Sequence, residues 1–104
     1  MEIFYVHSDI RKFIDLLDDS TALQIERAVQ LLSLETYNLR MPFSEKIEKD
    51  LYELRIAGKK NIRIFYTFYS ETIYLLHIIE KKTQKLSLKD MKTARNRLNY
   101  LHLK

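Results

Sequence analysis

The chain has 104 residues, 46% hydrophobic and 31% charged, with a formal net charge of +4, and is expected to form one globular domain over residues 1–104. It has no cysteine, one glycine and one proline, which excludes a disulfide framework, a thiolate nucleophile, a zinc–thiolate site and a glycine-rich phosphate loop. No apolar run approaches the roughly 20 residues that span a bilayer, so no membrane partner is expected.

The N-terminal stretch MEIFYVHSDIRK has neither the basic start nor the small-residue cleavage site of a signal peptide, and a cytoplasmic location is expected. Residues 2–6, aromatic and β-branched, read as a first strand. A helix follows from roughly Asp9 to Leu17, with Ile10, Phe13, Ile14 and Leu17 on one stripe. Thr21-x-x-Gln24 reads as a capping box that opens a second helix. Its stripe of Ile25, Ala28, Val29 and Leu32 fades before Met41-Pro42. The short DDST joint makes these an αα-hairpin whose apolar faces need a sheet to cover.

That sheet is predicted from three runs, 51–57, 61–69 and 72–79, turned by Gly58 and by Ser70-Glu71 into an antiparallel meander. Ser87-x-x-Asp90 then caps a last helix that runs to about Leu101. Leu88, Met91, Ala94, Leu98 and Leu101 share its apolar face, with Lys89, Lys92 and Asn96 elsewhere. The expected class is α+β: an N-terminal strand and αα-hairpin packed on an antiparallel sheet, with a C-terminal helix.

The positive charge is concentrated at one end. Residues 1–76 hold ten Lys/Arg against twelve Asp/Glu, whereas residues 77–104 hold eight against two. A one-sided cationic field fits an anionic partner, nucleic acid first, and equally fits a solvated lysine-rich helix. Matching the apolar faces of 51–57 and 61–69 pairs Ile56 with Ile62 and Leu54 with Ile64, which sets Arg55 directly opposite Arg63. Like charges so placed destabilise a sheet by up to about 1 kcal/mol. A bound phosphate resolves the conflict; so does neutralisation by Glu53, or extension of both side chains to water. Lys81 and Lys82 follow the last strand at the rim of the same face. Phe65, and Tyr74 if the second hairpin loop is of even length, offer rings there for base stacking.

Other signals are weaker. His7, His77 and His102 lack metal-ligand spacing, and His77 within LLHII reads first as a hydrogen-bonded core histidine and second as an acid–base candidate. Asp15, Asp18 and Asp19 flank a helix end and read as solvated surface. No metal site and no cofactor are expected.

The segments LYELRI, NIRIFYTF and LLHIIEKKTQKLSLKDMKTARNRL resemble the phage-derived HigB branch of the RelE-like toxins, closely over about 47–101. The resemblance implies a type II toxin that cleaves messenger RNA on the ribosome without a metal and pairs with a small helix-turn-helix antitoxin. It places Arg55 and Arg63 at cationic active-site positions and Lys81 and Lys82 in the cluster after the last strand. Lys85, Lys89 and Lys92 extend the RNA-binding surface with Phe65. Two departures stand out: Glu53 replaces a lysine of some relatives, and no tyrosine lies between Thr83 and Lys92. Glu53, His77 and a lysine therefore remain as acid–base candidates. The rival reading is a non-catalytic RNA- or protein-binding module, an inactivated toxin included, using the same basic face.

Overall fold

Alternating apolar side chains in residues 51–80 build the centre of the fold. In the computed structural model, which describes residues 1–102, the strands β1 (Glu2–Tyr5), β2 (Ser44–Glu48), β3 (Leu51–Ala57), β4 (Asn61–Tyr69) and β5 (Thr72–Glu80) form one sheet in the order β1-β5-β4-β3-β2. β3, β4 and β5 are the predicted antiparallel meander. β1 runs parallel to β5, so the five-stranded sheet is mixed. β2 is an edge strand that the sequence does not announce. The helices are α1 (Ser8–Asp15), α2 (Asp19–Glu35) and α3 (Leu88–His102), with a single 3₁₀ turn over Thr36–Asn38. The class is α+β, compatible with the RelE-like fold.

Each sheet face carries its own core. On one face Leu54, Ile56, Ile62, Ile64, Tyr66, Ile73, Leu75 and Ile78 receive Ile10 and Ile14 of α1 and Ile25, Val29 and Leu32 of α2. On the other, Leu51, Phe65, Leu76 and Ile79 receive Met91, Ala94 and Leu98 of α3. Leu88 departs from the predicted α3 stripe: it is 87% exposed, because it occupies the first turn before the helix reaches the sheet.

Local chemistry sets the element ends. Ser70 and Glu71 have φ of 48° and 63°, the left-handed pair that a two-residue hairpin loop requires. Gly58 lies in the turn between β3 and β4, as predicted. Its φ is not positive, and a Cβ there would stand 2.3 Å from the amide oxygen at the movable end of the Gln24 side chain. Glycine eases this contact with α2 and is not used here for left-handed turn geometry. The cap of α2 also shifts from the Thr21 box: the Asp18 carboxylate accepts from Thr21 N at 3.0 Å and from Thr21 Oγ1 at 2.8 Å. These bonds, with Lys59 nearby, hold the Asp18 carboxyl at about 2. The α3 cap is as predicted, Asp90 N donating to Ser87 Oγ at 3.1 Å. Among the described residues no helix is long and apolar enough to cross a membrane.

The two helical layers are tied across β5. Arg97 of α3 donates to both carboxylate oxygens of Asp9 in α1, at 3.0 and 2.5 Å, and to Leu76 O at 2.9 Å. The Arg97 hydrogen bond is the main reason the Asp9 carboxyl lies below its ordinary value. Arg97→Ala is expected to lower stability by about 2 kcal/mol, as for a charge-assisted hydrogen bond partly screened by water. Urea unfolding checks this, and an unchanged midpoint contradicts the tie.

Candidate nucleic-acid interface

Pairing the apolar residues of β3 and β4 forces their polar neighbours together. Ile56 faces Ile62 and Leu54 faces Ile64, so Arg55 stands opposite Arg63 as the alternation predicts. On the other side of β3, Glu45 of β2 faces Glu53. Two like-charge pairs thus lie side by side, each unfavourable alone, and the acids attract the arginines along β3 and across the diagonals. Glu53 Oε1 accepts from Arg55 Nε at 2.9 Å. The same oxygen lies 3.1 Å from Arg63 Nε, an ionic contact whose geometry is not that of a hydrogen bond. Arg55 Nη2 donates to Glu45 Oε2.

Glu53 is therefore the neutralising acid that the sequence leaves as one of three outcomes. It is only 3% exposed, and an unpaired carboxylate so deep costs several kcal/mol, which two guanidinium contacts offset. Arg55 and Arg63 keep 28% and 14% of their side chains exposed. The four charges Glu45, Glu53, Arg55 and Arg63 sum to zero, so the net positive charge of this surface comes from the lysines beside them.

Those lysines arrive on the connection between β5 and α3. Lys81 and Lys85 line an open groove of ≈ 480 Å³ together with Glu45, Glu53, Arg55 and Gln84, a volume within the range of small-ligand sites. Lys82 meets Lys81 and Lys85 around an adjoining hollow of ≈ 200 Å³ beside Asp90. Lys89 and Lys92 are exposed on α3 and line neither space.

Phe65 must be corrected. It is 0% exposed, packed beneath Met91, Ala94 and Leu98, so its ring is closed to a base. The docking of α3 on this half of the sheet is the cause. Tyr74 does lie on the α3 side and makes edge contacts with Phe4 and Tyr69. His77 is also structural in setting: its ring stacks on Phe65 with centroids 6.2 Å apart, and Nε2 lies 2.8 Å from Asp90 Oδ1. Ser87 Oγ donates to the other oxygen of Asp90 at 2.6 Å. The carboxylate stands between serine and histidine, so the imidazole has no hydroxyl to activate. Partial burial alone would raise the Asp90 carboxyl; hydrogen bonds from His77 and Ser87 outweigh it and lower it. Among the described residues no three His, Asp or Glu side chains gather as a metal site.

Glu45 and Gln84 are groove residues that sequence reading misses. Glu45 belongs to the unannounced β2, and Gln84 sits in a connection without periodicity.

The α+β architecture with its five-stranded mixed sheet and C-terminal helix is compatible with a RelE-like fold. The profile of the family described as phage derived protein Gp49-like (DUF891) matches residues 12–99, and the chain belongs to this family, a RelE/HigB-like toxin family. No curated protein matches the sequence.

Two predictions follow from these contacts. Glu53→Gln removes the charge shared by two arginines and lowers stability by about 3 kcal/mol, the low end for a broken buried pair because both arginines keep some water. Adding Arg63→Gln recovers part of the loss in urea unfolding; equal losses in the single and double variants contradict the shared contact. The Asp90 carboxyl is lower in the folded state than its ordinary 3.8, so its contribution is full above that unfolded value and disappears as pH falls through the folded one. Asp90→Asn should flatten the acid limb of stability against pH, and an unchanged limb counts against the His77–Asp90–Ser87 chain.

Proposed function

We propose that the protein is the toxin of a type II toxin–antitoxin pair and cleaves messenger RNA in the ribosomal A site. The observation that supports this best is the convergence of Arg55, Lys81 and Lys85 on one open groove, with Arg63 directly behind Arg55. In the proposed reaction the substrate's own 2′-oxygen bonds to the adjacent phosphorus while the bond to the 5′-oxygen breaks. The 2′-hydroxyl gives its proton to solvent water and the departing 5′-oxygen takes one, leaving a cyclic phosphate and a 5′-hydroxyl. No protein nucleophile is needed.

The chain's task is charge. Arg55, Lys81 and Lys85 face the developing phosphorane, where preorganised cations are worth several kcal/mol each. Arg63 supports Arg55 through Glu53, and Lys81 or Lys85 supplies the proton to the 5′-oxygen. Lys82, Lys89 and Lys92 follow the flanking phosphates. Glu53 and His77 act as positioning groups, since each is engaged with its own partners. An open groove holds free RNA poorly in line, and the ribosome supplies that alignment, a contribution that reaches about 7–11 kcal/mol in well-ordered systems. The second partner is a small helix-turn-helix antitoxin, held in part by the cationic surface.

The engagement of Glu53 and His77 also favours a second reading, a non-catalytic RNA-binding module on the same groove. Expression with end mapping separates the two. Arrested growth and new messenger ends within ribosome-bound codons are the expected result; binding without new ends supports the module. Arg55→Gln combined with Glu53→Gln, which leaves no unpaired buried carboxylate, should abolish arrest in a chain that urea unfolding shows to be folded, and a folded variant that still arrests growth refutes the role of Arg55. Antitoxin affinity should fall with added salt, and a salt-independent affinity counts against docking through the lysines.

A further inference from the structure

Arg55 is held on two sides by carboxylates of very different exposure. Glu53 grips the Nε edge from a central strand, with 4% of its side chain exposed. Glu45 caps Nη2 from the edge strand β2, with 47% of its side chain exposed. Its cross-strand neighbour is Glu53, a like charge, so Glu45 owes its position to Arg55 and not to its own strand pairing. Beyond Glu45 lies the groove with Lys81 and Lys85.

We propose that Glu45 is a tethered stand-in for a phosphate, occupying the outer donor of Arg55 until an RNA backbone displaces it. The proposal rests on the reading of this groove as the RNA site and adds its regulation. A carboxylate and a phosphate oxygen accept the same guanidinium hydrogen bonds. Because Glu45 is tied to the chain, it competes at an effective concentration on the order of millimolar. A single free phosphate or a stray nucleotide at lower concentration is excluded. A strand that meets Lys81, Lys85 and Arg55 together gains several contacts for the one it displaces. Glu45 therefore selects for substrate presented as an ordered backbone, a repulsive element of the kind specificity requires. Glu53 stays in place throughout and keeps the arginine aimed.

The test uses the full-length protein and a single-stranded RNA methylated at every 2′-oxygen, which binds without being cut. Fluorescence anisotropy gives affinity over a range of salt for the parent, Glu45→Gln, Glu45→Ala and Glu48→Gln. Glu48 carries the same charge on the same strand but pairs with Arg95, so it controls for net charge. RNA no longer has to displace a carboxylate from Arg55, so both Glu45 variants should bind severalfold tighter, with the parent's log–log salt slope because the same phosphate contacts form. The Glu48 variant should gain much less. If the Glu45 and Glu48 variants gain equally in affinity, Glu45 does not compete and the proposal is overturned. Arg55→Gln and Lys81→Gln mark the other failure. Should neither weaken RNA binding, the groove is not the RNA site, and both the reading and the proposal fall.

Discussion

One buried carboxylate makes the site possible. Apolar matching between β3 and β4 leaves no freedom over where Arg55 and Arg63 fall, and two guanidinium groups side by side in a sheet repel. Glu53 sits beside both and converts one repulsion into two attractions, at 2.9 and 3.1 Å. A lysine at this position would do the reverse. A third cation there would leave the arginines uncompensated and force them outward to water. With glutamate, both are drawn in toward the sheet and fixed. The exchange trades raw positive potential for geometry.

The sheet divides its labour between faces. The side covered by α1 and α2 is apolar along its length and has no part in the proposed chemistry. The side covered by α3 is apolar only where the helix lies, over Phe65, Leu76 and Ile79. The rest of that side, toward β2, stays open and polar. The angle at which α3 docks thus decides how much of the sheet is core and how much is site. His77 and Asp90 mark the boundary, joining β5 to the first turn of the helix at 2.8 Å.

What was legible in the sequence follows from which forces are local. The ranges of β3 and β4, and the Arg55–Arg63 pairing, could be read because strict alternation permits one register only. The cap at Ser87 could be read because its partners are three residues apart. β2 could not: Ser-Glu-Lys-Ile-Glu has one large apolar residue, and a register shift between Lys46 and Glu48 breaks its period. It is a strand by virtue of its neighbour, with Ser44 Oγ bonded to the buried Tyr66 hydroxyl. Charged residues on such an edge are typical, since they discourage further pairing. Phe65 departs from the sequence expectation for a related reason. Alternation assigns it correctly to the polar-bearing face, but only the docking of α3 decides whether that part of the face is open.

The bond between Asp9 and Arg97 joins positions 88 residues apart. A polypeptide leaves the ribosome N-terminus first, and its segments fold as they emerge. The sheet strands and the αα-hairpin can associate before residue 97 is available. The α3 layer cannot be locked until that arginine has cleared the exit tunnel. Until then, Phe65, Leu76 and Ile79 lack their cover, and the connection bearing Lys81 and Lys85 is anchored at one end only. The groove is thus among the last parts of the molecule to take shape during synthesis. The lysines of the β5–α3 connection stay loosely placed while α3 is still being made.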